Sequence, residues 1–260
     1  MSHYATLHTQ TEAGVHTILL NRPEKRNALT PELIEELTHA LEAAGANANC
    51  RVVLITGAGS AFCAGLDLEV LRANVDAGED AAVADAERIA TLFRTLHALP
   101  KPTIAAVNGA AIAGGMGIAT ICDLTLAVPE AKFGYTEVRI GFIPAIVSAY
   151  LRIQIGDKHA RDLLLTGRLI GAEEAAALGL VTRVVLEPEL MHEARGVAAK
   201  LMRNSSAAMA ATKRLLTRFA DRRLLDDIDG AIRASVQMRA HPDFREGVTS
   251  FLEKREAKWD

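Results

Sequence analysis

Short apolar runs alternate along this chain with longer stretches in which apolar residues return every third or fourth position. The runs suit buried strands and the longer stretches suit amphipathic helices. Val15 to Leu20 is the first run, stopped by Asn21-Arg22-Pro23. Thr30-Pro31 opens a helix, with Thr at the cap and Pro in the first turn, and Leu33, Leu37, Leu41 and Ala44 mark its buried face. Arg51 to Thr56 is the next strand and runs into Gly57-Ala58-Gly59-Ser60. Strand, helix, strand in that order predicts a right-handed crossover between parallel strands. Residues 61–67 read as a small-residue loop. Residues 72–86, rich in alanine and acids, read as a mobile loop leading into a helix over Glu87 to Leu99. Thr103 to Val107 and Asp123 to Val128 are further strands, separated by a small-residue segment and a helix ending near Cys122.

After Pro144 the strand signal fades. Helices are predicted over Ala145 to Ile155, Lys158 to Thr166, Ala172 to Leu178, Glu189 to Arg203, Ser206 to Ala220, Leu224 to Met238 and Asp243 to Lys258, with one short strand at Leu180 to Val185. The whole reads as an α/β domain with a helical tail and no linker between them.

The segment from Thr103 to Pro144 holds the candidate chemistry. Glycines at 109, 114, 115 and 117 leave the backbone uncrowded at the start of a helix. Free N–H groups and the helix dipole there suit an oxyanion or phosphate, although close helix–strand packing selects the same residues. Glu137, about twenty residues further on, is a candidate acid or base.

Composition narrows the class. Of 260 residues, half are apolar and 23% charged, with net charge −3, so neither nucleic acid nor an anionic membrane is expected as a partner. Three cysteines, Cys50, Cys63 and Cys122, fit a reducing compartment rather than a disulfide framework. No signal-peptide pattern and no apolar run of spanning length is visible, and a cytoplasmic location is expected.

Other motifs fail on inspection. Phe62 stands where a dinucleotide fingerprint after Gly57-Ala58-Gly59 needs its third glycine. Gly109 to Gly115 has phosphate-loop spacing without the following lysine, and no G-x-S-x-G elbow occurs. The eight histidines form no H-E-x-x-H, so no metal is expected. Cys63 reads as a small buried hydrophobe rather than a nucleophile.

Taken in order, several blocks resemble the enoyl-CoA hydratase/isomerase (crotonase) superfamily. They are Asn21-Arg22-Pro23 with Asn27-Ala28-Leu29, Phe62-Cys63-Ala64-Gly65-Leu66-Asp67, and Asn108-Gly109-Ala110-Ala111 with Gly114-Gly115 and Cys122-Asp123. Ala131-Lys132-Phe133-Gly134 with Glu137 and Gly141-Phe142-Ile143-Pro144, and the closing Phe251-Leu252-Glu253-Lys254-Arg255, complete the set. The resemblance implies the crotonase fold, a spiral of β-β-α units over residues 1–195, with a helical trimerisation region over 196–260. It implies an acyl-CoA thioester as substrate, a homotrimer or dimer of trimers, and no cofactor. It places an oxyanion hole at the backbone amides of Leu66 and Gly114 and the acid/base at Glu137. It puts Lys25, Arg26, Ala28, Ala64, Asp67 and Leu68 along the CoA path, with Phe251 and Lys254 closing on CoA. Asp67 also reads as a helix cap.

One departure matters. Hydratases of the family carry a second glutamate three residues past the oxyanion glycine, and this chain has Gly117 there. Three readings stay open: hydration by Glu137 alone or with a neighbour such as Tyr135, proton shuttling as in Δ3-Δ2-enoyl-CoA isomerases, or binding of an acyl-CoA or RNA with little turnover. The run Ala145 to Tyr150 and Thr136 to Gly141 is similar to methylglutaconyl-CoA-type hydratases.

Overall fold

The structure, a computed structural model, describes residues 4–259 apart from the side chains of residues 220–223. Met1–His3 and Asp260, the outer ends of the two expected regions, lie outside the described residues. The chain first forms a hairpin, β1 (Leu7–Glu12) and β2 (Val15–Leu20), and crosses through α1 (Pro31–Ala46) to β3 (Val52–Gly57). Thr30 caps α1 by accepting from the Leu33 amide at 3.2 Å, and Leu33, Leu37 and Leu41 are fully buried beneath it. β2 and β3 pair in parallel, as the crossover order requires.

From β3 onward the chain repeats one move. A long strand is followed, after a tight turn, by a short strand belonging to a second sheet, and then by helix. β3 is followed by β4 (Ala61–Cys63), α2 (Leu68–Ala73) and α3 (Glu79–Ala98). β5 (Thr103–Val107) is followed by β6 (Ala110–Ile112) and α4 (Gly114–Ile121), and β7 (Leu124–Ala127) by β8 (Lys132–Gly134) and α5 (Ala145–Thr166). Next come β9 (Ile170–Gly171), α6 (Ala172–Ala177), β10 (Arg183–Val184), α7 (Leu190–Leu201), α8 (Ser206–Arg239) and α9 (Pro242–Glu253). The long strands make a sheet ordered β1-β2-β3-β5-β7-β10, and the short ones a sheet ordered β4-β6-β8-β9. Except for the β1–β2 and β8–β9 pairs the strands run parallel. Every residue of β3 and β5 is buried, as expected of parallel strands covered on both faces.

Several residues of the sequence blocks hold this spiral together. Asn27, fully buried, donates to the Ala58 and Ala61 carbonyls at 2.9 Å and accepts from the Arg22 amide at 2.9 Å. Asn108 bridges Gly57 N and Gly59 O. The Asp123 carboxylate accepts from Thr103 N, Thr103 Oγ1 and Lys213 Nζ at 2.7, 2.9 and 2.6 Å, fastening β5 to α8. For the buried Asn27, saturation in this way avoids the cost of leaving a polar group unpaired.

The structure differs from the sequence expectations in several elements. The short strands β4, β6, β8 and β9 and the helix α2 stand where loop or small-residue segments were expected. α3 starts at Glu79, not Glu87, because Gly78 (φ 85°) turns the chain and Glu79 and Asp80 suit the positive end of a helix. The expected pair of helices over 206–238 is a single helix, α8, since no proline or glycine interrupts residues 220–224. β1 was not foreseen: its residues are mostly polar and only Leu7 is buried. The expected break at Gly156 does occur, as a kink within α5 (φ 75°).

α8 packs on α3 and α5, and its Leu224, Ile228 and Ile232 join the main core. α9 instead packs on α2 and on the 3-10 turn Glu137–Ile140, in a satellite core of Leu71, Phe142, Phe244 and Val248.

Candidate active site

A cavity of about 500 Å³ opens between the ends of the two sheets and the helices α2, α3, α5, α8 and α9. Its mouth carries charge: Lys25 and Glu69, both exposed, pair at 2.8 Å, and this carboxylate holds the Lys25 ammonium above its usual range. Its depth is apolar, lined by Ile89, Phe93, Ile140, Phe142, Ile146 and Val147, with the Ser235 side of α8 contributing a hydroxyl residue.

Of the residues selected from the sequence, Lys25, Arg26, Ala28, Ala64, Leu66, Asp67, Leu68, Gly114, Glu137 and Phe251 all line this cavity. Lys254 does not; it ends α9 in the left-handed conformation (φ 56°). Asp67 caps α2 through the Glu69 amide at 3.1 Å and pairs with Arg22 at 3.3 Å, so its carboxylate is already engaged. Arg22 also donates to the Ala28 carbonyl at 2.5 Å, tying the mouth loop to the loop before α2.

Two backbone loops meet at the centre. Gly65 has φ 84°, which only glycine adopts at no cost, and a Cβ there would lie 2.8 Å from Ala113 Cβ and 3.6 Å from Gly114 N. Gly115 lies so close to the Cys63 backbone that a Cβ would overlap the Cys63 carbonyl. The glycines let α4 dock against the end of β4, and that docking brings its N-terminus beside the 65–66 loop. Among the described residues neither the Leu66 nor the Gly114 amide donates to a protein acceptor, and both residues line the cavity. Gly114 is the first residue of α4, where the helix dipole adds to the pull on negative charge.

Glu137 opens the 3-10 turn after β8. The residue keeps some surface toward the cavity, but its Oε2 is enclosed and without a hydrogen-bond partner. Burial raises its pKa to about 7, a hydrogen bond from its own backbone opposing the shift. Tyr135 is not poised to assist: it is buried, its hydroxyl sits 3.5 Å from Thr120 Oγ1, and it does not line the cavity. Burial also pushes the Cys63 thiol to about 12, consistent with a packed thiol rather than a nucleophile.

The absence of a second carboxylate at 117 has a structural counterpart that the sequence did not reveal. A Cβ on Gly117 would lie 2.7 Å from Val147 Cγ1 and 3.0 Å from Phe93 Cζ. Side chains of α3 and α5 thus occupy the space into which residue 117 would project. Among the described residues no cluster of three histidine, cysteine or acidic side chains gathers that could hold a metal ion.

A spiral of β-β-α units with two free amides and one enclosed carboxyl lining the same cavity is the arrangement of a crotonase-fold protein, and solved structures agree. An enoyl-CoA hydratase/isomerase from Xanthobacter autotrophicus superposes with TM-score 0.89, at 32% identity over 99% of this chain and all of that one. The family model for enoyl-CoA hydratase/isomerase matches residues 10–260, and the chain belongs to that family. Among curated relatives, a Thermus thermophilus protein assigned by its name to the enoyl-CoA hydratases is 42% identical, covering 95% of this chain and 98% of that protein. The crotonyl-CoA hydratase of Syntrophomonas wolfei is 33% identical over 98% of both.

Proposed function

We propose that this protein is an enoyl-CoA hydratase that adds water reversibly to a 2-enoyl-CoA thioester, with Glu137 as its single acid/base. The observation that carries this reading is one carboxyl whose enclosed Oε2 has no hydrogen-bond partner, in the same cavity as two unpaired backbone amides. The Leu66 and Gly114 N–H groups would take the thioester oxygen. Charge builds on that oxygen as the enolate forms, and preorganised donors stabilise it. Ionised Glu137 takes a proton from water as the hydroxyl adds to C3, then returns that proton to C2. One carboxyl suffices because the proton removed and the proton delivered are the same. Ala28, Ala64 and Leu68 offer a smooth path for the pantetheine arm, while Lys25 and Arg26 face the phosphates at the mouth. The reading needs no metal or redox cofactor.

The cations of the lining lie at the mouth and the depth is apolar, which favours an uncharged acyl group over a carboxylated one of the methylglutaconyl kind. The exposed Leu215, Leu216 and Phe219 of α8 support a trimer built through the helical tail. No helix among the described residues is long and apolar enough to cross a membrane, and a cytoplasmic location fits the three free cysteines.

A second reading, Δ3-Δ2-enoyl-CoA isomerisation, is favoured by the apolar packing around Gly117. Apart from Glu137 the wall there offers no carboxylate to hold the attacking water. Turnover of crotonyl-CoA and trans-3-hexenoyl-CoA, each with Glu137→Gln as control, separates the two. Glu137-dependent loss of the crotonyl-CoA absorbance establishes the hydratase. Conversion of the 3-enoyl ester alone establishes the isomerase. Activity on neither leaves a binding role.

A further inference from the structure

The turn that presents Glu137 is gripped from behind by α9. Gly247, in the middle of α9, lies so close that a Cβ there would overlap the Ile140 carbonyl group. Reciprocally, a Cβ on Gly141 (φ 63°) would overlap the Asp243 carbonyl. The two backbones touch at both ends of the contact with no side chain between them. Phe142 and Phe244 pack beside it with ring centroids 5.0 Å apart, and Arg239 lies over the Phe142 ring at 5.7 Å. The turn itself is short and closes on Glu137: the Gly141 and Phe142 amides both donate to the Glu137 carbonyl. Any shift of residues 140–142 therefore reaches Glu137 through its own main chain. The same helix sends Phe251 and Leu252 into the cavity wall.

We propose that α9 positions the acid/base, and that Gly247 is a positioning residue whose lack of a side chain sets how far the Glu137 turn stands into the cavity. This rests on the reading of Glu137 as the reacting group. A well-packed backbone contact has one depth, so adding one methyl group to it moves the lighter partner, which is the four-residue turn. A misplacement of about 1 Å at a catalytic group costs about a hundredfold in rate.

Most charged groups around Glu137 are paired with one another; among the described residues, Glu24 and Arg26 at the mouth and the turn's Arg139 are not. On α9, Asp243 lies 3.7 Å from His241, and Arg245 pairs with Asp76. From α2 and the mouth, Asp67 pairs with Arg22 and Glu69 with Lys25. From α8, Arg239 pairs with Asp85 at 3.0 Å. α5 presents Ala145, Ile146 and Val147 to the cavity, and Tyr135 precedes the turn as a buried phenol. The turn's own Arg139 is exposed. A change in Glu137 titration in an α9 variant would thus report movement of the carboxyl or entry of water.

The test compares wild type, Gly247→Ala, Phe244→Leu and Glu137→Gln. Steady-state kinetics use the better of the two substrates above. The carboxyl of Glu137 is titrated by carbon-13 NMR, its signal assigned by loss in Glu137→Gln. Gly247→Ala is expected to lower kcat tenfold to about a hundredfold with KM changed less than about threefold, and to shift the Glu137 titration downward as water reaches the carboxyl. Phe244→Leu, which loosens the contact without a collision, is expected to shift both in the same direction by less. Unchanged kcat and unchanged titration in a folded Gly247→Ala overturn the proposal. So does a loss confined to KM. If Gly247→Ala does not fold, an unchanged titration in Phe244→Leu overturns it instead. Full activity in Glu137→Gln, with the titration still shifted by Gly247→Ala, would overturn the catalytic reading and leave the positioning contact standing.

Discussion

Glu137 carries two opposing demands, and both can be measured. Enclosure, opposed only by a hydrogen bond from its own backbone, keeps its pKa at about 7, so the carboxyl is about half ionised near neutrality. As a base in hydration it must be ionised, so kcat/KM should rise with pH and level off above about 7, with an acid limb that tracks this pKa. Glu137→Gln should cut kcat by about a hundredfold to ten-thousandfold. The stability effect has the opposite sense. A carboxyl whose folded pKa lies above its unfolded value destabilises the fold once pH rises through the interval between the two, here from 4.5 to about 7. Glu137→Gln should therefore match wild type in unfolding free energy at pH 4 and exceed it by about 3 kcal/mol at pH 8. Equal stability at both pH values in chemical denaturation would mean the carboxyl is hydrated. At residue 117 the expectation is a negative one. Gly117→Glu should not restore a two-carboxylate site, because Val147 and Phe93 already fill that direction. It should lower the melting temperature without raising hydratase turnover, the behaviour of an overpacked core with a buried charge.

At the scale of elements, the site depends on how closely β4 and α4 approach. Gly65→Ala adds a methyl group where φ is 84° and where Ala113 Cβ would be 2.8 Å away. It should cost about 1–3 kcal/mol through backbone strain and should part the Leu66 and Gly114 amides. A loss of about a hundredfold in kcat with bound CoA affinity retained is expected, since losing one oxyanion donor has that effect. Undiminished kcat in a folded variant would remove the oxyanion hole from this loop pair. This part of the site could be read from the sequence because close backbone approach selects small residues locally, and Gly65, Gly114 and Gly115 stand next to what they serve. The Asn27, Asn108 and Asp123 blocks were equally visible, but only the structure shows that their side chains fasten strands rather than face a substrate. What could not be read depends on contacts between distant segments. Ser235 sits on an ordinary amphipathic helix, where a cavity-lining residue has the same pattern as a core one. The contact of Gly247 with Ile140 gave only a glycine in a helix, and β1, a polar edge strand, gave almost no period at all.

For the molecule as a whole, the helical tail sets the last question. Leu215, Leu216 and Phe219 are 51%, 62% and 77% exposed and lie within little more than one turn of α8. Apolar side chains clustered so openly on a long helix are what an association surface would present. A closed symmetric assembly is the arrangement that buries the same patch on every copy. Sedimentation equilibrium of the full chain should give a trimer or a hexamer, and Leu216→Asp with Phe219→Asp should shift it toward monomer with helix content retained in circular dichroism. A monodisperse wild-type monomer would contradict the trimer reading. The dissociated variant also tests what the assembly contributes. The acyl end of the cavity is lined by residues of α3, α5, α8 and the Glu137 turn of the same chain. Lys254 alone among the expected CoA contacts stands outside it. The monomeric variant should therefore keep kcat within severalfold of wild type and lose mainly in KM for the CoA ester. Loss of kcat instead would mean that the oligomer holds α9, and through it the Glu137 turn, in place.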